Sequence, residues 1–214
     1  THNLYVIEDA ACALGASQNG KFVGTFGDFG SFSLHPRKAI SSGEGGLITC
    51  QNSELNKKVQ ILRNHGIEII DDKMEFVEAG FNYRMTDMQA ALGISQIERL
   101  DGYVSRRHEI ALRYNELLSG LPLSVPHQHC DGYSSFHLYV VRLENKGQHT
   151  HVFEHLRKQG IGVNLHYIPV HTHPYYQQTG VKFTNLFQAE DYYHEAISLP
   201  LYPALTNYDQ NHQA

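Results

Sequence analysis

The chain opens on a continuous apolar run, Leu4, Tyr5, Val6 and Ile7, closed by Glu8 and Asp9. An unbroken apolar run predicts a buried strand rather than one with a wet face. Phe29 to Leu34 and Leu47 to Cys50 read as two further strands, and Gly20, Gly24 and Gly27 punctuate a hairpin-like stretch before them. From Ser53 to Asn64 the period changes, with Leu55, Val59 and Leu62 on one helical face. Strand and helix alternate, as in an α/β unit.

In FNYRMTDMQAALG, Thr86 followed three residues later by Gln89 is a capping-box pattern that starts a helix carrying Met88, Ala91, Leu92 and Ser95 at helical spacing. Asn82, Tyr83 and Arg84 then lie in the loop before a helix N-terminus, a place suited to an anion. A second helix, Val104 to Leu118, carries Val104, His108, Ala111, Asn115 and Leu118 on one face. Beyond Pro122 the pattern predicts a smaller α+β unit: a strand Phe136 to Leu143, a helix Thr150 to Gln159 ended by Gly160, a strand Ile161 to Leu165, and a helix Leu186 to Ala196. The expected division is residues 1–102 as a larger α/β domain, 103–120 as a linking helix and 121–214 as a small C-terminal domain.

Composition narrows the function classes. At 214 residues and 41% hydrophobic, the chain is long enough for one large domain or two small ones. The 17 Lys+Arg against 22 Asp+Glu argue against a nucleic-acid surface, and no apolar run approaches the roughly 20 residues that span a bilayer. Cys12, Cys50 and Cys130 are too few and too scattered for a disulfide framework, which points to the cytoplasm. Among 15 histidines, His166, His171 and His173 fit no zinc spacing, and no carboxylate lies near them in sequence; no metal is expected. The chain starts inside what reads as a buried strand and is expected to belong to a longer one.

The chemistry concentrates in GSFSLHPRKAISSGEGG, Gly30 to Gly46. Lys38 stands between an apolar run and a glycine-dense loop, on a turn stiffened by Pro36. A partly buried lysine is a better nucleophile than a solvated one, because desolvation disfavours the ammonium; such amines form Schiff bases with carbonyl compounds. Local composition alone leaves open an ordinary solvated lysine on an ordinary turn. Asp9, at the carboxyl end of a strand, faces the side of an open α/β sheet where ligands bind, though an acid there also serves to cap turns.

Taken together, IEDAACALGA, FGSFSLHPRKAISSGEGG, LRNHG, GFNYRMTDMQAALG, RLDGYVSRRHEIALRYNELL and HYIPVHTHPYY resemble the DegT/StrS-type sugar aminotransferases over almost the whole chain. The resemblance implies a fold-type-I aminotransferase that uses pyridoxal 5′-phosphate (PLP), with a mainly parallel sheet in the large domain, a small C-terminal domain, and a homodimer with shared active sites. This chain matches only the later part of the family's longer sequences. By the resemblance Lys38 holds PLP covalently, Asp9 pairs with its pyridine nitrogen, Ser33 contacts its phosphate, and Asn82 reaches the phosphate of the partner subunit's cofactor. Cys12 stands where the family often has glutamine or histidine against the cofactor's ring oxygen, and a thiol is a weaker donor. The implied reaction moves an amino group from glutamate to a nucleotide-linked keto-sugar. NLHYIPVHTHPYY and YYHEAISLPLYPALT look most like members acting in pseudaminic acid synthesis, with those making perosamine next; an inactive sugar-nucleotide-binding module of the same fold is the alternative.

Overall fold

The computed structural model describes residue 2 and residues 4–213. The chain forms two compact units, one running to Val104 and taking in His129–His137, the other made of Ser105–Gln128 and the chain from Leu138 onward.

In the first unit, strand β1 (Ile7–Asp9) leads into a hairpin of β2 (Ser17–Gln18) and β3 (Lys21–Phe22), then β4 (Phe29–Ser33) and β5 (Gly46–Cys50). β4 lies between β1, which it pairs in parallel, and β5, which it pairs antiparallel. The register sets Asp9 opposite Ser31, so β1 and β4 end on the same side. Helix α1 (Ser53–Leu62) starts where the Asn52 side chain accepts the N–H groups of Glu54 and Leu55, which would otherwise be left unpaired. A hairpin of β6 (Ile67–Ile70) and β7 (Lys73–Phe76) follows, turning on Asp71 and Asp72, both with positive φ. Helix α2 (Asp87–Ile97) begins with the expected capping box at Thr86 and Gln89. The first residues of α3 (Leu100–Leu117) supply Leu100 and Val104, which pack with Leu34 and Ile40 in the buried core.

The second unit holds the rest of α3, then β8 (Leu123–Ser124); the short β9 (Gly132–Tyr133) returns to the first unit and pairs with β2. Strand β10 (Tyr139–Leu143) is the centre of an antiparallel sheet ordered β11-β10-β8, in which β11 spans Ala196–Leu199. Helix α4 (His149–Lys158) ends at Gly160, and α5 (Pro174–Gln178), α6 (Phe187–Glu195) and α7 (Asn207–Gln213) complete the order. Ile110, Tyr114, Tyr139, Ile197 and Leu205 form the buried interior. Its two phenols are satisfied: Tyr114 donates to the Pro200 carbonyl at 2.9 Å and Tyr139 to the Asn115 side-chain oxygen at 2.6 Å.

Four expectations need correction. Leu4 to Ile7 are exposed, because β1 is an edge strand and, among the described residues, none covers those side chains. Phe136 to Leu138 are not strand; Phe136 takes φ 43°, which breaks extension, and pairing starts at Tyr139. Ile161 to Leu165 make only one bridge, Asn164 with Ser198, since the Ile161 N–H turns back to Leu156 and the Val163 N–H to Ile161. The histidines near 170 do meet a carboxylate, because His171 Nε2 lies 2.7 Å from Glu190 Oε1, while His166 bonds the Ser198 hydroxyl. Among the described residues no cluster of three metal-ligating side chains forms.

One contact ties this sheet to the loop beside it. The Glu8 carboxylate accepts the backbone N–H groups of Gly24 at 2.8 Å, Phe26 at 2.5 Å and Gly27 at 2.7 Å. Desolvation opposes its ionisation, but the amides of Gly27, Gly24 and Phe26, with Lys21 nearby, outweigh that and hold the carboxyl below its ordinary range. Because the folded-state value is depressed, the stabilisation is complete above the unfolded carboxylate range and is lost as pH falls through the folded value. Glu8→Gln should cost about 2 kcal/mol at neutral pH, the scale of bonds to a charged acceptor. Urea unfolding should show this gap at pH 7 and its narrowing in acid; a gap independent of pH would mean that the charge is not what matters.

Candidate active site

The lysine turn is closed at its base by backbone bonds. The Leu34 N–H donates to the Gly45 carbonyl at 2.9 Å, and the Leu34 carbonyl accepts from the Ser42 N–H at 3.1 Å and the Ser41 hydroxyl at 3.0 Å. Inside this loop the Lys38 N–H donates to His35 O at 2.9 Å, and the Arg37 N–H donates to His35 Nδ1 at 3.2 Å. Ile40 and Ser42 are buried beneath it, so the turn is anchored to the core on its inner side and leaves Lys38 half-buried. Gly45, at φ 144°, sits where an added Cβ would lie 2.6 Å from Met85 Cε and 2.9 Å from Ser42 Oγ.

Lys38 reaches back to β1. Its Nζ donates to Cys12 Sγ at 3.0 Å, joining the two candidate stretches of the sequence. Cys12 lies in the turn after β1, where Asp9 Oδ1 accepts the Ala11 N–H at 3.2 Å and the Ala10 N–H donates to the Ser31 carbonyl at 2.9 Å. Asp9 therefore ends β1 with an exposed carboxylate that also caps its own turn. Ser33 ends the neighbouring parallel strand β4, half-buried, its hydroxyl accepting the His35 N–H at 3.4 Å. Asp9, Cys12, Ser33 and Lys38 thus arise at or just beyond the carboxyl ends of two adjacent parallel strands, the side on which open α/β sheets bind ligands.

Asn82 belongs to a separate feature. It bridges Asn64 through the backbone just before α2, and its Oδ1 accepts from Arg84 Nε at 3.0 Å. Among the described residues no hydrogen bond joins it to the lysine turn; further along, Gln89 Nε2 of α2 donates to the Glu44 carbonyl at 3.1 Å.

Two contributors escape the sequence reading. Glu8 holds the loop at Gly24–Gly27, although a strand-end acid ahead of three clustered glycines was the available signal. Ser135, itself buried, donates its hydroxyl to the Cys12 carbonyl at 3.1 Å across 123 positions of sequence. No local pattern could have announced that partner.

The chain belongs to the DegT/DnrJ/EryC1/StrS aminotransferase family, whose match covers residues 1–213. It is 36% identical over 210 residues to the UDP-4-amino-4,6-dideoxy-N-acetyl-beta-L-altrosamine transaminase of Campylobacter jejuni, covering 93% of this chain and 54% of that protein. Among solved structures it is similar to Helicobacter pylori PseC, an aminotransferase involved in the biosynthesis of pseudoaminic acid, at TM-score 0.89 and 33% identity, covering 98% of this chain and 57% of that one. Spr1654 of Streptococcus pneumoniae, solved in PMP- and PLP-forms, matches at TM-scores of 0.90 and 0.88 with 31% identity, over 96% of this chain and 54–55% of its own. The chain spans about half the length of these relatives. PLP is the family's cofactor, and the groups present here suit it: a half-buried primary amine, a strand-end carboxylate and a hydroxyl around one sheet edge.

Replacing Gly45 tests the loop. Gly45→Ala should cost about 1–3 kcal/mol, chiefly because a side chain disfavours the required φ, with the ends of Met85 and Ser42 having to shift as well. Limited proteolysis should then cut faster between residues 35 and 46 than in the parent protein. Unchanged protection would show that the turn does not depend on its base.

Proposed function

We propose that the protein containing this chain is a PLP-dependent aminotransferase that moves an amino group from glutamate to a nucleotide-linked keto-sugar. The observation that carries the reading is Lys38, an amine fixed by a closed loop and brought within 3.0 Å of the turn that follows Asp9. In this reading residues 1–102 form the cofactor-binding part, 103–120 the linking helix and 121–214 the small domain. The sugar is a precursor of pseudaminic acid or a related amino sugar, in line with the names carried by the similar proteins. Among the described residues no helix is long and apolar enough to cross a membrane, and all three cysteines are free. A cytoplasmic enzyme is the reading we favour, reduced thiols being usual there.

When bound, PLP supplies a carbonyl carbon for amines and a ring that takes up the electrons released when a proton leaves a substrate carbon. Lys38 would hold it through Nζ and, once displaced by the donor's amine, carry the proton from the substrate carbon and return it as base and then acid. Asp9 would keep the ring nitrogen protonated, because an ionised carboxylate favours the neighbouring cation. Ser33 would donate its hydroxyl to the phosphate. Cys12 would sit against Lys38 and the ring oxygen, giving less to the latter than an imidazole or amide gives. Asn82 would serve a second copy of the chain, donating to the phosphate held there, which makes the enzyme a homodimer with shared sites.

Two sets of variants examine this. Lys38→Ala should abolish amino transfer from glutamate, and borohydride reduction of the parent should leave the pyridoxyl group on the Lys38 peptide. Asp9→Asn should fold normally and turn over about a hundredfold more slowly or worse. Pyridoxyl on another lysine, or near-normal turnover in the Asp9 variant, would refute the assignment.

Sharing of sites has its own check. Inactive Lys38→Ala protein mixed with an inactive Asn82→Ala protein should regain part of the activity, because each mixed dimer keeps one intact composite site. Absence of recovery despite demonstrated subunit exchange would place Asn82 within its own subunit's site or outside the chemistry.

A further inference from the structure

The segment carrying Asn82 is clamped along its backbone. Phe81 N–H donates to Leu62 O at 2.7 Å, His65 N–H to Phe81 O at 2.8 Å and Tyr83 N–H to Arg63 O at 2.9 Å, around the bridge between Asn64 and Asn82. The approach is close: a Cβ on Gly66 would fall 1.7 Å from the Glu78 carbonyl oxygen, and one on Gly80 2.1 Å from the Gly66 nitrogen. Where Asn82 starts is thus fixed. Which way its amide faces is not, because the last torsion of an asparagine is broad and its two ends are nearly equal in size.

Arg84 removes that freedom. A guanidinium can only donate, so the Asn82 atom 3.0 Å from Arg84 Nε has to be the carbonyl oxygen. The reversed amide would set N–H against N–H. With Oδ1 taken by Arg84, Nδ2 is the end left to donate elsewhere, and Asn82 is exposed. Arg84 is steadied in turn: its Nη2 lies 3.4 Å from His65 Nε2, a ring nitrogen that can accept from it in one tautomer.

We infer that Arg84, braced by His65, is a positioning residue that locks the Asn82 amide in the donor-outward orientation needed to hold a phosphate monoester. The inference rests on the cofactor reading above and deepens it. Arg84 acts through the orientation of its neighbour, and its fork of two nitrogens is what matters, one for Asn82 and one for His65. A lysine, with one nitrogen at the end of a flexible stem, cannot fill both places.

The experiment measures dissociation constants, by absorbance titration of the full-length apoprotein, for PLP and for pyridoxal, which lacks the phosphate. Arg84→Met and Arg84→Lys should each weaken PLP about tenfold, as loss of a hydrogen bond to a charged group does, and leave pyridoxal within about twofold. Asn82→Ala should weaken PLP similarly, and adding Arg84→Met to it should cost nothing further, because the two act as one unit. Equal PLP affinity in the Arg84 variants, parallel losses for PLP and pyridoxal, retention by Arg84→Lys, or additive losses in the double variant would each overturn the inference. If the parent protein binds no PLP, the cofactor reading itself falls; if the parent binds it and the Arg84 variants match it, only the positioning role falls. Arg84 is exposed, so its variants should fold, and the thermal midpoint of each apoprotein checks that they do.

Discussion

The parallel pairing of β1 with β4 is the constraint on which the candidate site depends, and Glu8 is what anchors β1 in place. Three backbone amides from the Gly24–Gly27 loop converge on one carboxylate, so the loop immediately before β4 is bound to the strand that β4 must pair with. Neighbouring residues of a strand point to opposite faces. Glu8 therefore spends its side chain on the scaffold while Asp9, one position on, stays exposed at the strand's end. Structure and candidate chemistry share three residues, IED, without competing for the same face.

From that pairing the positions of the remaining groups follow by short chain lengths. Ser33 ends β4, and Lys38 lies five residues further on in a loop whose two ends are bonded at Leu34, Ser42 and Gly45. Leu34 and Ile40 go into the core with Leu100 and Val104, so the loop is held from below by the start of α3. A lysine on a free loop would explore many rotamers and would lose that freedom on binding. Here much of that cost is met when the protein folds.

What could be read in the sequence was what local physics decides. The capping box at Thr86 and Gln89, the helix at 53–62 and the strands at 29–33 and 46–50 are set by spacing and end signals that lie within a few residues of each other. Leu4 to Ile7 read as buried but are exposed in this chain, because periodicity reports what a side chain could bury, and not what lies over it. β2 and β9 were not legible as partners, since pairing of Ser17 with Tyr133 joins two-residue strands more than a hundred positions apart. The hairpin at 67–76 was missed although its Asp71–Asp72 turn takes the two positive φ values that such loops require; only Asn-Gly or Asp-Gly would have signalled it plainly. Of the candidate site, Lys38 and Asp9 stood out by their places on a turn and at a strand end, Ser33 entered only through the family resemblance, and the contact of Lys38 with Cys12 needed the fold.

That contact also separates two kinds of support in the site. Lys38 depends on bonds made within its own loop and on the core under it, all of them close in sequence except those to α3. Cys12 depends on a distant residue, because its carbonyl is held by the buried Ser135 hydroxyl from the segment that returns to pair with β2. The lysine's place therefore rests on its own loop and the core beneath it, while the thiol's place rests also on residues 129–137. A change at Ser135 would be felt first at Cys12 and only through it at Lys38 Nζ, even though Ser135 touches no residue of the lysine loop in the bonds described.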